Sequence, residues 1–209
     1  MPPLAVRTTL ALVLCVGGSA CGARTLDEGT AGPVKADAAT VWPPVVVQPG
    51  FFQAEGSPIT LVSDGGPVAV RFASQGGYAM FIGARVRGLD AGTVRIATEL
   101  VNPEDGTALV SDEREVRFVP SLAEAGAVES DNQSSADFSH LVPCPNYGVR
   151  PVNGVPWILS VRVTDPAVAQ RSGASSVWVI PNCAAGSRYA QCVCQCQPDY
   201  VLGKCGAEH

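Results

Sequence analysis

The chain is predicted to be all-β: an antiparallel β-sandwich followed by a small disulfide-rich C-terminal tail. Three observations predict this. Short runs in which apolar and polar residues alternate recur across residues 41–183. Gly, Pro, Asn and Asp separate these runs, and no long helical period appears. From Cys183 onward the composition changes, and five of the eight cysteines fall in that last stretch.

The candidate strands are residues 45–48, 59–63, 68–73, 79–87, 93–101, 108–111, 115–119, 157–164 and 176–180. In 157–164, Trp157, Leu159, Val161 and Val163 share one face, with Ser160, Arg162 and Thr164 on the other. In 93–101 the apolar face is Val94, Ile96 and Leu100, against Arg95, Ala97 and Glu99. Period two puts one face in a core and one in water, as antiparallel sheets do. The breaks Asp64-Gly65-Gly66, Gly88-Leu89-Asp90-Ala91-Gly92 and Asn102-Pro103-Glu104-Asp105-Gly106 carry the turn residues that tight reversals need. About nine short strands in roughly 140 residues fit two packed sheets.

Two stretches break the pattern. Residues 120–138 are polar with one helix-compatible piece, 121–125, and read as a mobile solvated loop or a binding loop. Residues 141–147 contain Pro143 and Pro145, which cannot donate to a ladder, so this segment reads as an irregular crossing between sheets. Trp157 and Trp178 are expected in the core; Trp42 and Tyr147 are candidates for an exposed partner anchor.

The N-terminal end carries an address. Residues 1–20 have one charge, Arg7, an apolar run at 10–16 and then small residues, the layout of a signal peptide. The apolar run is too short to span a bilayer. Ser19, Ala20 and Cys21 resemble the lipobox of bacterial lipoproteins, and the resemblance implies lipidation of Cys21 as the mature N-terminus. Gly18 stands where that family usually has Leu, which leaves ordinary cleavage after Ala20 open. Gly22 lacks the Asp that marks inner-membrane retention in that family, favouring the outer membrane over the inner one; a secreted product is the alternative. Residues 21–40 offer almost nothing to bury and read as a flexible tether or a frayed terminus. The domain reading is therefore signal 1–20, tether 21–40, sandwich 41–183 and Cys-rich tail 184–209.

All 19 acidic residues and 13 of the 14 basic ones lie beyond Ala20, a net charge of −6 that argues against nucleic acid and anionic lipid as partners. With Cys15 in the signal and Cys21 lipidated, six cysteines remain: Cys144, Cys183, Cys192, Cys194, Cys196 and Cys205. An even number in an exported chain reads as a disulfide framework. If none of Cys192, Cys194 and Cys196 pairs internally, each takes a partner from Cys144, Cys183 and Cys205. About six connectivities then stay open. The segment from Cys194 to Cys205 resembles the last third of an EGF-like domain, with Asp199 in place of the usual Gly. That resemblance implies a Cys196–Cys205 bond, with Cys144 and Cys183 taking Cys192 and Cys194, so that Cys144 staples the tail to the body. The rival reading is thiolate binding of zinc or copper by Cys-x-Cys-x-Cys, although structural zinc ligands are usually spaced by two residues.

Catalytic signals are few. The histidines are His140 and His209 alone. Asp137-Phe138-Ser139-His140 collects an acid, a hydroxyl and an imidazole, but such groups normally converge from separate segments. No nucleophile elbow, His-Glu-x-x-His or phosphate loop is present. Glu104/Asp105 and Asp112/Glu113 sit at turn signals, where solvated acids are the default, and no EF-hand loop accompanies them. Asn132-Gln133-Ser134 matches the glycosylation sequon without further support. The body resembles the immunoglobulin-like sandwiches of bacterial lipoproteins, a fold that does not carry a function by itself. The expectation is an exported, lipid-anchored cell-envelope module that binds another envelope protein or a glycan, or has a structural role. It is expected to have no catalytic residues, cofactor or metal of its own. The alternatives are a hydrolase using carboxylates or His140 and a metal or redox protein using the Cys tail.

Overall fold

The computed structural model describes residues 41–74 and 76–205. The signal, the tether, Cys15, Cys21 and His209 lie outside the described residues. Among the described residues ten strands run in chain order: β1 (Val46–Phe51), β2 (Thr60–Leu61), β3 (Gly66–Phe72), β4 (Tyr78–Arg87), β5 (Gly92–Val101), β6 (Ala108–Pro120), β7 (Ala127–Ser130), β8 (Ser139–Cys144), β9 (Trp157–Thr164) and β10 (Ser172–Cys183). A helix, α1 (Tyr189–Gln195), follows.

The described residues are nearly all β, but the sandwich expectation is overturned: the sheet closes on itself as a seven-stranded barrel. The ring runs β4–β3–β10–β9–β5–β6–β7 and returns to β4. β7 makes the closure, with Val119 opposite Glu129 on one edge and Arg85 opposite Glu129 on the other. Arg85 Nε donates to Glu129 at 3.0 Å, so an opposite-charge pair faces directly across the closing seam. Nor is the sheet wholly antiparallel. β3 and β10 run parallel, with Val70 opposite Cys183. Beside the ring, β1 pairs with the second half of β4 and carries β2, while β8 pairs with the first half of β4.

Alternation sorts each strand between interior and water. β9 buries Trp157, Leu159, Val161 and Val163 and leaves Arg162 exposed. β5 buries Val94, Ile96 and Leu100, with Thr98 on the same face at 0% exposure. Together with Val68, Val70, Met80, Ile82 and Phe118 they fill the interior, as a barrel of this size requires. Trp178 is a correction. The inward parity of β10 is set by Val179 and Cys183, so Trp178 points outward and is 43% exposed.

Residues 108–111 and 115–119 form one strand, because the charged stretch between them alternates too: Asp112 and Arg114 are half-buried, whereas Glu113 and Glu115 point out. Residues 121–125 are not helical; they bend into a turn closed by the Ala127 amide on the Glu124 carbonyl. The stretch read as a loop after Pro120 contains β7 and then a tether point, where the Gly56 amide donates to Asn132 O and Asn132 Nδ2 to Ser57 O. Glycine is required inside β4: a Cβ on Gly83 would lie 2.6 Å from Phe52 and 2.9 Å from the Ser130 hydroxyl.

Candidate functional site

The three disulfides position the site. Cys144 pairs with Cys196, Cys183 with Cys192 and Cys194 with Cys205. Each of the three clustered cysteines takes a partner from outside the cluster, but the Cys196–Cys205 bond implied by the EGF-like resemblance is not formed. Helical geometry accounts for the pairing. Cys192 and Cys196 are one turn apart and share the face of α1 turned to the barrel, whereas Cys194 points away toward Cys205. At Asp199, where EGF-like domains usually have Gly, φ is 54°, so the turn keeps a left-handed residue without glycine. The sulfurs of Cys183, Cys192 and Cys196 lie within 4.8 Å of one another. They do so because two disulfides stack, and sulfurs so bonded are not thiolate ligands.

A groove opens at the end of the barrel where the chain leaves β10. The parallel register brings Cys183 level with Val70, and the Ala184 amide then donates to Val70 O at 2.9 Å. The segment from Ala184 to Arg188 is thereby laid beside the end of β3, and the Cys183–Cys192 bond holds the start of α1 against it. Two adjoining open depressions of about 380 and about 350 Å³ result, sharing Gln53, Arg71, Ala184 and Ala185.

Its polar groups are organised. The Arg188 guanidinium lies over the Phe72 ring, 3.7 Å from the centroid, and Phe72 meets Tyr78 edge-on at 5.6 Å. The Tyr78 hydroxyl donates to the Arg188 carbonyl at 3.3 Å or to Gln191 Oε1 at 3.1 Å. Burial raises the Tyr78 pKa above that of a free phenol, with the Arg188 charge pulling the other way, so the hydroxyl stays a neutral donor. Arg71 Nη2 donates to Gln53 Oε1 at 2.9 Å, and its Nε is buried without a partner. Seven arginines (Arg85, Arg87, Arg95, Arg114, Arg117, Arg150 and Arg171) pair with carboxylates. Arg71, Arg162 and Arg188 meet no carboxylate among the described residues, and two of these three line this groove.

The residues singled out for catalysis are arranged differently. Ser139 and His140 are consecutive in β8, so their side chains leave opposite faces. The Ser139 hydroxyl is fully buried, 2.5 Å from Thr98 Oγ1 and donating to Asp112 Oδ2 at 2.7 Å. Asp112 also accepts the His140 amide at 3.0 Å and a two-pronged contact from Arg114, both arms at 2.7 Å. Asp112 is therefore not at a turn: it knits β6 to β8. Burial opposes its ionisation, but the bonds from Arg114, Ser139 and the His140 amide prevail and hold its pKa down. His140 packs against Phe81 and Phe138 at ring distances of 5.2 and 5.3 Å, and its Nε2 is buried without a partner. Desolvation, then Arg114, lowers its pKa against the opposing pull of Asp112 and the Ser135 backbone. Asp137 turns to the Arg117 amide, away from this pair. Among the other acids, Glu104 pairs with Arg150, while Asp105 accepts from the Thr107 hydroxyl and amide, bonds that lower its pKa.

Trp42 is half-exposed but already engaged, with the Arg171 guanidinium 4.3 Å from its ring centre. Tyr147 is 67% exposed and lies 6.1 Å from Tyr200. The groove itself joins residues far apart in sequence. Its one trace there is an arginine beside an aromatic, Arg71-Phe72 and Arg188-Tyr189, a dipeptide too common to single out. No family model matches the chain, and no curated protein matches it.

Proposed function

We propose that the protein is an exported cell-envelope binding module, lipid-anchored through Cys21 to the outer membrane, with its ligand taken in the groove at the end of the barrel. It performs no catalysis of its own. The observation that carries this reading is the disulfide framework. All six cysteines from Cys144 to Cys205 are joined in three bonds, two of which hold the groove wall. Such a framework suits an oxidising compartment outside the cytosol. It also leaves Cys21 as a cysteine without need of an intrachain partner, which agrees with its lipobox-like setting. Preorganised, uncompensated arginines beside an aromatic fit recognition of a ligand. The opposed Ser139 and His140 do not fit a nucleophile and its base.

The test is the intact mass of protein purified from its native host, with and without thiol alkylation. A chain starting at Cys21 with added acyl mass and no alkylated cysteine is expected. An unlipidated chain carrying free thiols would refute both the anchor and the export.

A further inference from the structure

Arg71 and Arg188 reach one groove from distant parts of the sequence, and neither forms an ion pair with a carboxylate among the described residues. The chain as a whole is acidic, with a formal net charge of −5. A local pair of uncompensated guanidinium groups on such a surface concentrates anions at one place and repels them elsewhere. The pair is also held ready: Arg188 is stacked on Phe72, its carbonyl tied to Tyr78, and Arg71 is fixed by Gln53. Ordering costs that binding would otherwise incur are already met in the fold.

The shape selects the kind of anion. Small-molecule sites enclose most of their ligand, whereas these two depressions are open and adjoin through shared lining residues. They suit an extended chain that presents charges in series. The polar lining beside Arg71 is Gln53 and Ser187 in the depression that holds Arg188 and Gln53 and Asn182 in the other, amides and a hydroxyl able to both donate and accept, the chemistry that matches a hydroxyl-rich polymer. Phe72, 42% exposed, offers an apolar edge to the face of a sugar ring. We infer that the groove binds an acidic polysaccharide, with Arg71 and Arg188 taking oxyanions of its repeating units. Glu55 lines the same groove with the wrong sign for that ligand and sets an internal check. The inference rests on the reading of the protein as an envelope binding module.

The experiment is calorimetric titration of the purified full chain with oligogalacturonate, a mannan carrying phosphodiester groups, neutral dextran and polyglutamate. Binding of one or both acidic glycan probes and none of dextran is expected. The two acidic arms distinguish carboxylate from phosphate as the oxyanion source. Arg188→Gln, on an exposed side chain, and Arg71→Gln should each weaken that binding about tenfold, the scale of a charge-assisted contact. Glu55→Gln should strengthen it, and added salt should weaken it. Unchanged unfolding midpoints would establish that the variants fold. No binding of either acidic glycan, binding unaffected by Arg188→Gln, or tighter binding of polyglutamate would overturn the inference. Lipidation and thiol status are read by mass, so failure here leaves the envelope reading standing.

Discussion

The Cys144–Cys196 bond should carry more of the fold's stability than the Cys194–Cys205 bond, and the structure sets the difference. The first closes a separation of 52 residues and the second one of 11. Loop-closure entropy gives about 4 kcal/mol for the former and about 3 kcal/mol for the latter. The Cys183–Cys192 bond lies inside the larger loop and shortens it only slightly, which leaves its value near 4. Packing widens the gap. Cys144 and Cys196 are both at 0% exposure within the core, so replacing each by alanine also removes buried sulfur contacts. Cys194 and Cys205 are half-buried at the rim and leave no enclosed void. The double variant Cys144→Ala/Cys196→Ala should lose about 4–5 kcal/mol, and Cys194→Ala/Cys205→Ala about 2–3 kcal/mol. Urea unfolding followed by tryptophan fluorescence reports this, since Trp157 is buried and becomes exposed. Equal losses, or a larger loss from the rim pair, would refute the argument that Cys144 staples the tail into the core.

Four further outcomes follow from the same structure. Asp112→Ala removes the acceptor of Arg114, Ser139 and the His140 amide and should cost about 2–3 kcal/mol in urea unfolding. Glu113→Ala, on the outward face, should stay within about 0.5 kcal/mol. Because the folded state lowers the His140 pKa, the unfolded chain binds that proton first as pH falls. Stability should therefore decline below about pH 6.5, the free imidazole value, toward the lower folded one. His140→Phe, which keeps the aromatic packing, should flatten the slope between pH 7 and 5; an unchanged slope would remove His140 as its source. Gly83→Ala drives a Cβ into Phe52 and Ser130 and should cost about 1–3 kcal/mol, read as a lowered unfolding midpoint.

What the sequence disclosed and what it hid divide along a physical line. β5 and β9 were legible because each buries one whole face, and a buried face writes itself as alternation within a single strand. Sandwich and barrel share that alternation. What separates them is the partner of β7, a long-range fact carried by four residues. Two of those, Glu129 and Ser130, read as loop polarity, yet Arg85 and the Ala84 amide satisfy them across the seam. β8 was hidden by a sound rule applied without its exception. Pro143 cannot donate to a ladder, but between the pairs Tyr78/Cys144 and Met80/Leu141 the register slips, and Val142 and Pro143 together oppose Ala79 alone. The bulge absorbs the missing donor. That slip also fixes the site. By bringing Cys144 to the start of β4, beside Tyr78, it sets the anchor to which Cys196 bonds, and α1 is held there with Arg188 at its start. The cysteines were visible as a framework from the outset. Their pairing was not, because it depends on a helix that puts Cys192 and Cys196 on one face, and seven residues are too few for a helical period to register. The groove inherits that obscurity: its two arginines come to line one depression only once the parallel β3–β10 register and the stacked disulfides have been made.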